Sequence, residues 1–314
     1  MSGPSFRQLD DVVYGRVDQV TPLIRRVIAE NPSKFTYRGT GTYIVGHGDV
    51  AVIDPGPELD SHRDALAAAL RGERVRAICV THCHADHSPL ARWLATETGA
   101  PTIAHGPHPR PPRDEAAESS ESSQPGADVK VEEATDFDFA PDVRVADGAI
   151  AAEGPGWTIG AVHTPGHTSN HTCYALAEER ALFPGDHVMG WSTTVVSPPD
   201  GDMAAYVDSL RKVAGRADDV HWPTHGPPIP DPAPYVDALV EHRLARERQV
   251  LDQVRRGVAT IPDIVAVLYA DVATELHEAA ARSVLAHMAK LVADGGVEVA
   301  DGGRVDLASR YVAR

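Results

Sequence analysis

A chain of 314 residues, 42% hydrophobic and 24% charged, has the composition of an ordinary soluble protein and room for one large domain plus a small one. Its formal net charge of −16 disfavours unaided binding to nucleic-acid phosphates, while leaving room for a local basic groove. No apolar run approaches the roughly 18 residues that span a bilayer, residues 1–11 lack a signal-peptide layout, and the cysteines, three in number and without framework spacing, fit a reducing cytoplasm. In chain order, alternation over residues 43–45 and 51–53 predicts paired strands across the turn 46–49. Residues 59–70 have helical spacing, and 75–80 form a short apolar strand. This order fits half of a four-layer αββα sandwich, with the second half over about 143–222. Between the halves, residues 107–142 combine a proline cluster with a Ser/Glu-rich run over 115–123, the marks of a mobile acidic insertion. It reads as a solvated surface loop, or as a lid over the active site. Beyond residue 234 the pattern predicts helices over 235–256, 261–269 and 276–293, then a hairpin pairing 297–299 with 304–307. The expected division is therefore 1–233 and 234–314.

Residues 81–87 read Thr-His-Cys-His-Ala-Asp-His, three imidazoles and a carboxylate within six residues. His82 and His84 project together from an extended segment or tight turn, and Asp86 and His87 add a second pair. Neutral imidazole and carboxylate suit zinc, iron or manganese. Four such side chains this close would repel or desolvate one another without a cation. The same types recur downstream, each next to a Pro or Gly at the expected end of a strand: His167, Asp186 and His225. Loops at one edge of a sheet are where functional residues gather. The seven side chains suffice for two metals sharing one bridging carboxylate.

Other candidates have weaker contexts. His163 and His171 lie four residues either side of His167, and either donates a hydrogen bond to a metal ligand, shuttles a proton or is structural. His105 lines the entrance or the surface, and His187 is a strand-end residue. Cys79, Cys83 and Cys173 read as buried small apolar residues, with Cys83 pointing away from its ligand-type neighbours.

With these residues in view, the span from about Gly39 to Gly226 resembles the metallo-β-lactamase-fold hydrolases, whose H-x-H-x-D-H pattern and later His, Asp and His are all filled. The resemblance implies one metal on His82, His84 and His167, another on Asp86, His87 and His225, and Asp186 bridging them. Asp86 and Asp186 would then be the catalytic carboxylates. Asp186 and His87 point to the glyoxalase-II and ribonuclease-like side of the superfamily. Asp54 matches the family's buried Asp, an orienter of the metal loop or a strand-end cap. Residues 31–36, 39–43 and the C-terminal third are similar to the β-lactamase-like protein 2 family, with Gly41 where that family has Asn. The tail resembles its winged helix.

The expected activity is hydrolysis of an ester or thioester by a bridging hydroxide held on two zinc ions, with iron or manganese as other candidate metals. The alternatives are a single-strand-specific endoribonuclease using the same site and, further off, an iron persulfide dioxygenase. A small-molecule acyl substrate is the expected partner and single-stranded RNA the alternative, with no membrane. Residues 235–314 carry 10 basic and 12 acidic side chains, so the C-terminal module reads as a packing or homodimerisation module in preference to a nucleic-acid binder.

Overall fold

The computed structural model describes residues 4–110 and 134–314. The Ser/Glu-rich run 115–123 lies outside them. Among the described residues, seven strands form one sheet in chain order: β1 (Val17–Gln19), β2 (Ile24–Ile28), β3 (Gly41–His47), β4 (Asp49–Ile53), β5 (Arg74–Cys79), β6 (Thr102–Ala104) and β7 (Val143–Arg144). β1 to β4 are antiparallel neighbours. From β4 to β7 the pairing is parallel, with α1 (Asp60–Ala69) and α2 (Pro89–Thr98) as the first two crossovers. A second sheet contains β8 (Ile150–Gly154), β9 (Trp157–His163), β10 (Thr172–Leu176), β11 (Ala181–Phe183), β12 (Val220–His221) and β13 (Ile229–Pro230). There, α3 (Met203–Ala214) crosses between the parallel strands β11 and β12.

The side-chain period of a strand decides the layers. On β3 and β4, Tyr43, Val45, Ala51 and Ile53 point one way, into a core shared with Trp157, Ile159, Tyr174 and Phe183 of the second sheet. Their neighbours Ile44, Val50 and Val52 point the other way, against Leu66 of α1 and Leu90 and Leu94 of α2. Strands buried on both faces read as continuous apolar runs, which is why 50–53 and 75–80 stand out in the sequence. The outer face of the second sheet is covered by α3 and by α4 (Pro232–Arg255), through Val207, Leu210, Val236 and Leu239. The result is the four-layer αββα sandwich.

The C-terminal elements are α4, α5 (Ile261–Leu268), α6 (His277–Ala293), β14 (Val297–Val299) and β15 (Tyr311–Ala313). Thr260 caps α5 by accepting from the Asp263 amide. Three features of the fold carry no local signal in the sequence. First, α4 serves two cores. Val236, Leu239 and Val240 complete the sandwich, whereas Val250 and Val254 pack with α5, α6 and β14. Second, β14 pairs with β15 and not with residues 304–307. Asp306 captures its local backbone, Oδ1 accepting from the Ala308 amide at 2.8 Å, and Ser309 Oγ donates to the Arg304 carbonyl at 2.7 Å. Third, the flanks of the expected 107–142 insertion belong to the packed structure. Phe139 is 1% exposed in the outer core, and the Asp142 carboxylate accepts from both the amide and hydroxyl of Thr102. The acid-rich middle hid the apolar anchor at its end. Among the described residues no helix is long and apolar enough to cross a membrane.

Candidate metal centre

The loop 81–88 leaves β5 and enters α2, and its backbone is held from both sides. The His87 amide donates back to the His84 carbonyl at 3.0 Å. The Asp136 amide donates to the Cys83 carbonyl at 2.7 Å and the Ala85 amide to Ala134 at 2.8 Å, so the 134–136 flank buttresses this loop. Pro89 at the start of α2 ends the loop with a preset backbone angle. The other loops are shaped by glycine. Gly166 (φ +140°) and Gly185 (φ +52°) precede His167 and Asp186, and a Cβ at either would lie within 2.8 Å of Tyr206 or of His171 and Thr81.

All seven candidate side chains meet at one edge of the sandwich. His82 Nε2 lies 2.9 Å from His84 Nδ1, which is 3.2 Å from His167 Nε2. His225 Nε2 and His87 Nε2 lie 3.0 and 3.3 Å from Asp86 Oδ2. Asp186 stands between the two groups: Oδ1 is 3.4 Å from His225 and 3.6 Å from His87, while Oδ2 is 4.0 Å from His167.

The surrounding groups fix which ring nitrogens face inward. Asp54, 0% exposed at the end of β4 with φ +48°, accepts from the Thr81 amide, the Thr81 hydroxyl, His87 Nδ1 and the Thr224 hydroxyl at 2.8–3.1 Å. Asp54 therefore holds the proton on His87 Nδ1 and leaves Nε2 as the atom that faces the cluster. Carbonyl acceptors do the same for His167, through Val195 at 2.6 Å, and for His225, through Gly39 at 3.2 Å. Because the Thr81 hydroxyl proton goes to Asp54, its oxygen accepts from His82 Nδ1, 3.1 Å away.

Imidazole nitrogens and carboxylate oxygens thus converge on one another. Among the described residues, His87 Nε2 and Asp186 Oδ1 are buried and find no hydrogen-bond partner. Burial and the surrounding imidazoles hold His82 well below the usual histidine range, and burial with His167 brings His84 down to about 3. Burial alone would raise the Asp86 and Asp186 carboxyls, yet the imidazoles of His87 and His225 keep both below the ordinary value. The three carboxylates around His87 overcome its burial and raise it. Despite burial, Asp186 and Asp86 raise His225 as well, so His87 and His225 are held toward the protonated form whose proton a divalent cation would displace, while His82 and His84 are held neutral beside ionised carboxylates. His82, His84 and His167 form one convergent set, Asp86, His87 and His225 another, and His82, His87 and Asp186 a third between them.

Several supporting residues escape a sequence reading. Asn31 receives the Thr40 amide at 2.9 Å and donates to the Thr40 hydroxyl, which donates to Asp86 Oδ2 at 3.3 Å. Arg243 of α4, 4% exposed, donates to the Thr194 carbonyl and stacks over Tyr206. The Thr194 hydroxyl donates to the Asp186 carbonyl at 2.6 Å, and the next residue, Val195, holds His167. One short segment thereby links two of the seven side chains to α4.

The remaining candidates are placed differently. His171 bonds through Nδ1 to Thr164 at 2.9 Å and packs 5.2 Å from the His82 ring, so it supports the cluster by contact and not through a hydrogen bond to a ligand-type residue. His163 stacks on His105 at 3.8 Å, and the pair lines neither the cluster nor the cavity. His187 is fully buried behind Asp186. Cys83 turns away into the outer core, where Asn170 Nδ2 donates to it at 3.0 Å. At Gly41 the amide donates to Thr224 at 2.9 Å, placing this backbone directly behind His225.

The cluster forms the floor of a cavity of about 640 Å³. Its apolar wall includes Phe35, Phe137, Met189 and Val195, and the C-terminal module closes one side with Leu285 and Val305. That module, expected to pack or dimerise, borders the site itself.

A four-layer αββα sandwich with a His/Asp cluster at its strand edge defines a class of metallohydrolase folds. The model of the metallo-beta-lactamase superfamily matches residues 37–225, and that of the beta-lactamase associated winged helix domain matches 260–304. The chain belongs to the metallo-beta-lactamase superfamily and is a hydrolase of that fold. It is 30% identical over 276 residues to an atrochrysone carboxyl ACP thioesterase of Aspergillus chevalieri, covering 84% of this chain and 79% of that protein. It is also 30% identical to a beta-lactamase-like protein 2 homolog of Caenorhabditis elegans, over 90% of this chain and 88% of the relative. A beta-lactamase domain protein from Burkholderia ambifaria has the same fold, with a TM-score of 0.75, 20% identity and coverage of 97% and 96%.

Proposed function

We propose that this chain hydrolyses thioesters at a two-metal centre held by His82, His84, His167, Asp86, His87 and His225, with Asp186 shared. The observation that carries the reading is the set of convergent imidazole nitrogens and carboxylate oxygens at the floor of an apolar-walled cavity. Zinc fits the donor set, as do iron and manganese. Bound there, divalent ions would supply water acidic enough to ionise near neutral pH and would polarise an acyl oxygen.

The chain's own residues supply the rest. Asp54, Val195 and Gly39 hold three imidazoles through Nδ1, leaving Nε2 as the inward-facing atom that a metal would take. Apolar side chains exclude bulk water from the acyl group. In the net reaction a water oxygen bonds to the acyl carbon, the carbon–sulfur bond breaks, and the departing thiolate takes up a proton. A protein nucleophile is not required. Burial pushes the Cys83 thiol up to about 11 and Cys173 to about 12, so neither offers a thiolate at neutral pH. The thioesterase names of relatives 30% identical to this chain favour sulfur over oxygen as the leaving atom. A side-by-side assay of acyl thioesters, phosphodiesters and unstructured RNA tests the proposal, with His84→Ala as control. Thioester turnover lost in the variant supports it. RNA cleavage lost in the variant, without thioester turnover, overturns it.

A further inference from the structure

Thioester hydrolysis leaves a thiolate that must take up a proton, and the composition of the cavity narrows the donor. Outside the seven ligand-type residues, the described lining holds arginines, carboxylates, hydroxyls, apolar side chains and a further imidazole, His108. Among the described residues no Cys, Lys or Tyr lines it, and the sequence over 111–133 contains no His, Cys or Tyr. A guanidinium keeps its proton at any working pH, and a carboxyl has lost its proton well below neutrality. Imidazole both holds and releases one near neutral pH.

The surroundings of His108 suit that task. It lies just beyond β6 and is 8% exposed, with the Phe137 ring edge-on at 5.4 Å. Nδ1 is buried, so Nε2 is the nitrogen that can reach a bound molecule. Asp200 Oδ2 stands 3.7 Å from Nε2, too far to hold its N–H in a hydrogen bond but near enough to favour an imidazolium. Asp200 also lines the cavity, and the Ser169 amide fixes it at 2.8 Å. Ser169 is the second residue after His167, which puts the pair beside the His82, His84 and His167 group. Among the described residues, the titratable groups that act on the ring are Asp200 and His167. Burial lowers the imidazole below its ordinary value, Asp200 opposes this, and His167 adds to it, so a proton held there is released readily.

We infer that His108 is the proton donor to the departing sulfur, with Asp200 as the carboxylate that positions it. This rests on the thioesterase reading above. In the step, the carbon–sulfur bond breaks with its electron pair going to sulfur. The Nε2–H bond breaks with its pair staying on nitrogen, and the proton passes to sulfur. Neutral His108 then regains a proton from solvent. The leaving sulfur therefore lies on the His108–Asp200 side of the cavity.

The test compares two thioesters of one acyl group. An aryl thiolate leaves unaided, whereas the more basic alkyl thiolate needs the proton. In metal-loaded His108→Gln, kcat should fall about 100-fold for the alkyl thioester and less than about fivefold for the aryl one, since general-acid assistance is worth roughly 10²–10⁴. Aryl turnover in the same sample shows that the variant is folded and loaded. Asp200→Asn keeps an acceptor for the Ser169 amide and should bias the two rates the same way, by less. Nitrogen NMR reads the pair without turnover: in the zinc-loaded chain, His108 should lose its proton at a lower pH in Asp200→Asn than in the wild type. Equal losses with both thioesters at wild-type metal content, or an alkyl rate within about twofold of wild type, would overturn the inference. Should His108→Gln not take up metal, the alkyl-to-aryl ratio of Asp200→Asn decides alone. An unchanged His108 titration in Asp200→Asn would remove Asp200 from the assignment. If the wild type cleaves neither thioester, the thioesterase reading fails and the donor with it; if it cleaves both and the variants keep its ratio, only the donor fails.

Discussion

Asp54→Asn is the sharpest probe of how the chain prepares its site. The native carboxylate accepts four hydrogen bonds and donates none. An Asn keeps one acceptor oxygen and turns the other into an NH2 donor. The Thr81 and Thr224 hydroxyls can rotate to accept from it, and the Thr81 amide can keep the remaining oxygen. His87 has no such freedom. With an NH2 opposite Nδ1, its stable arrangement moves the proton to Nε2, the atom that faces Asp86 and Asp186. The lone pair needed for a metal is lost while the packing volume is unchanged. Orienting partners of this kind are worth about 10–100-fold in metal affinity, and the mispaired buried donor adds roughly 1–3 kcal/mol of instability. Competition titration against a chromophoric chelator measures the first, thermal melting of metal-free protein the second, and nitrogen NMR of the ring reads the tautomer directly. Metal affinity within twofold of wild type, with His87 still protonated on Nδ1, would refute the reasoning.

Other perturbations test separate parts of the structure. Arg243→Met leaves the Thr194 carbonyl unpaired and should cost about 1–3 kcal/mol in metal-free melting, together with lower metal occupancy; a change in stability alone would break the proposed link from α4 to Asp186. Phe139→Ala should destabilise by roughly 3–5 kcal/mol, and a loss near zero in a denaturant titration would mean that this flank is not part of the core. His62, buried on α1, is lowered from 6.5 to about 4 by desolvation. As pH falls through that window the unfolded chain binds its proton first, so up to about 3 kcal/mol of stability drains away between pH 6.5 and 4. His62→Gln, which keeps a partner for the Thr42 hydroxyl, should flatten that slope in metal-free protein, and an unchanged slope would assign it to other histidines.

What could be read from the sequence was short-range. Residues 81–87 carry their chemistry in seven consecutive positions, and His167, Asp186 and His225 stand beside Gly or Pro turns that any strand-and-breaker pattern reveals. The layers followed from apolar runs over 50–53 and 75–80. The supporting contacts are long-range and carry no local signal: Arg243 lies 49 residues from Thr194, and Asp54 is 170 residues from Thr224. Arg243 sits in a helix dense with Arg and Glu, and only its burial sets it apart. The strand misread at 304–307 shows the converse error. Its apolar alternation is real, but Asp306 and Ser309 satisfy the backbone locally, while Tyr311, buried at 1% exposure, anchors the true partner of β14. Composition averaged over 107–142 likewise conceals Phe139 and the backbone bonds of residues 134–136.

We propose that seven side chains hold two ions across a shared carboxylate. Metal content of the purified chain, measured by elemental analysis alongside Asp186→Ala, tests it most directly. The account predicts about two divalent ions per chain, with at least one lost and thioester turnover abolished in the variant. Two ions retained in Asp186→Ala, or a wild-type chain that binds none after reconstitution with zinc, iron or manganese, would contradict it.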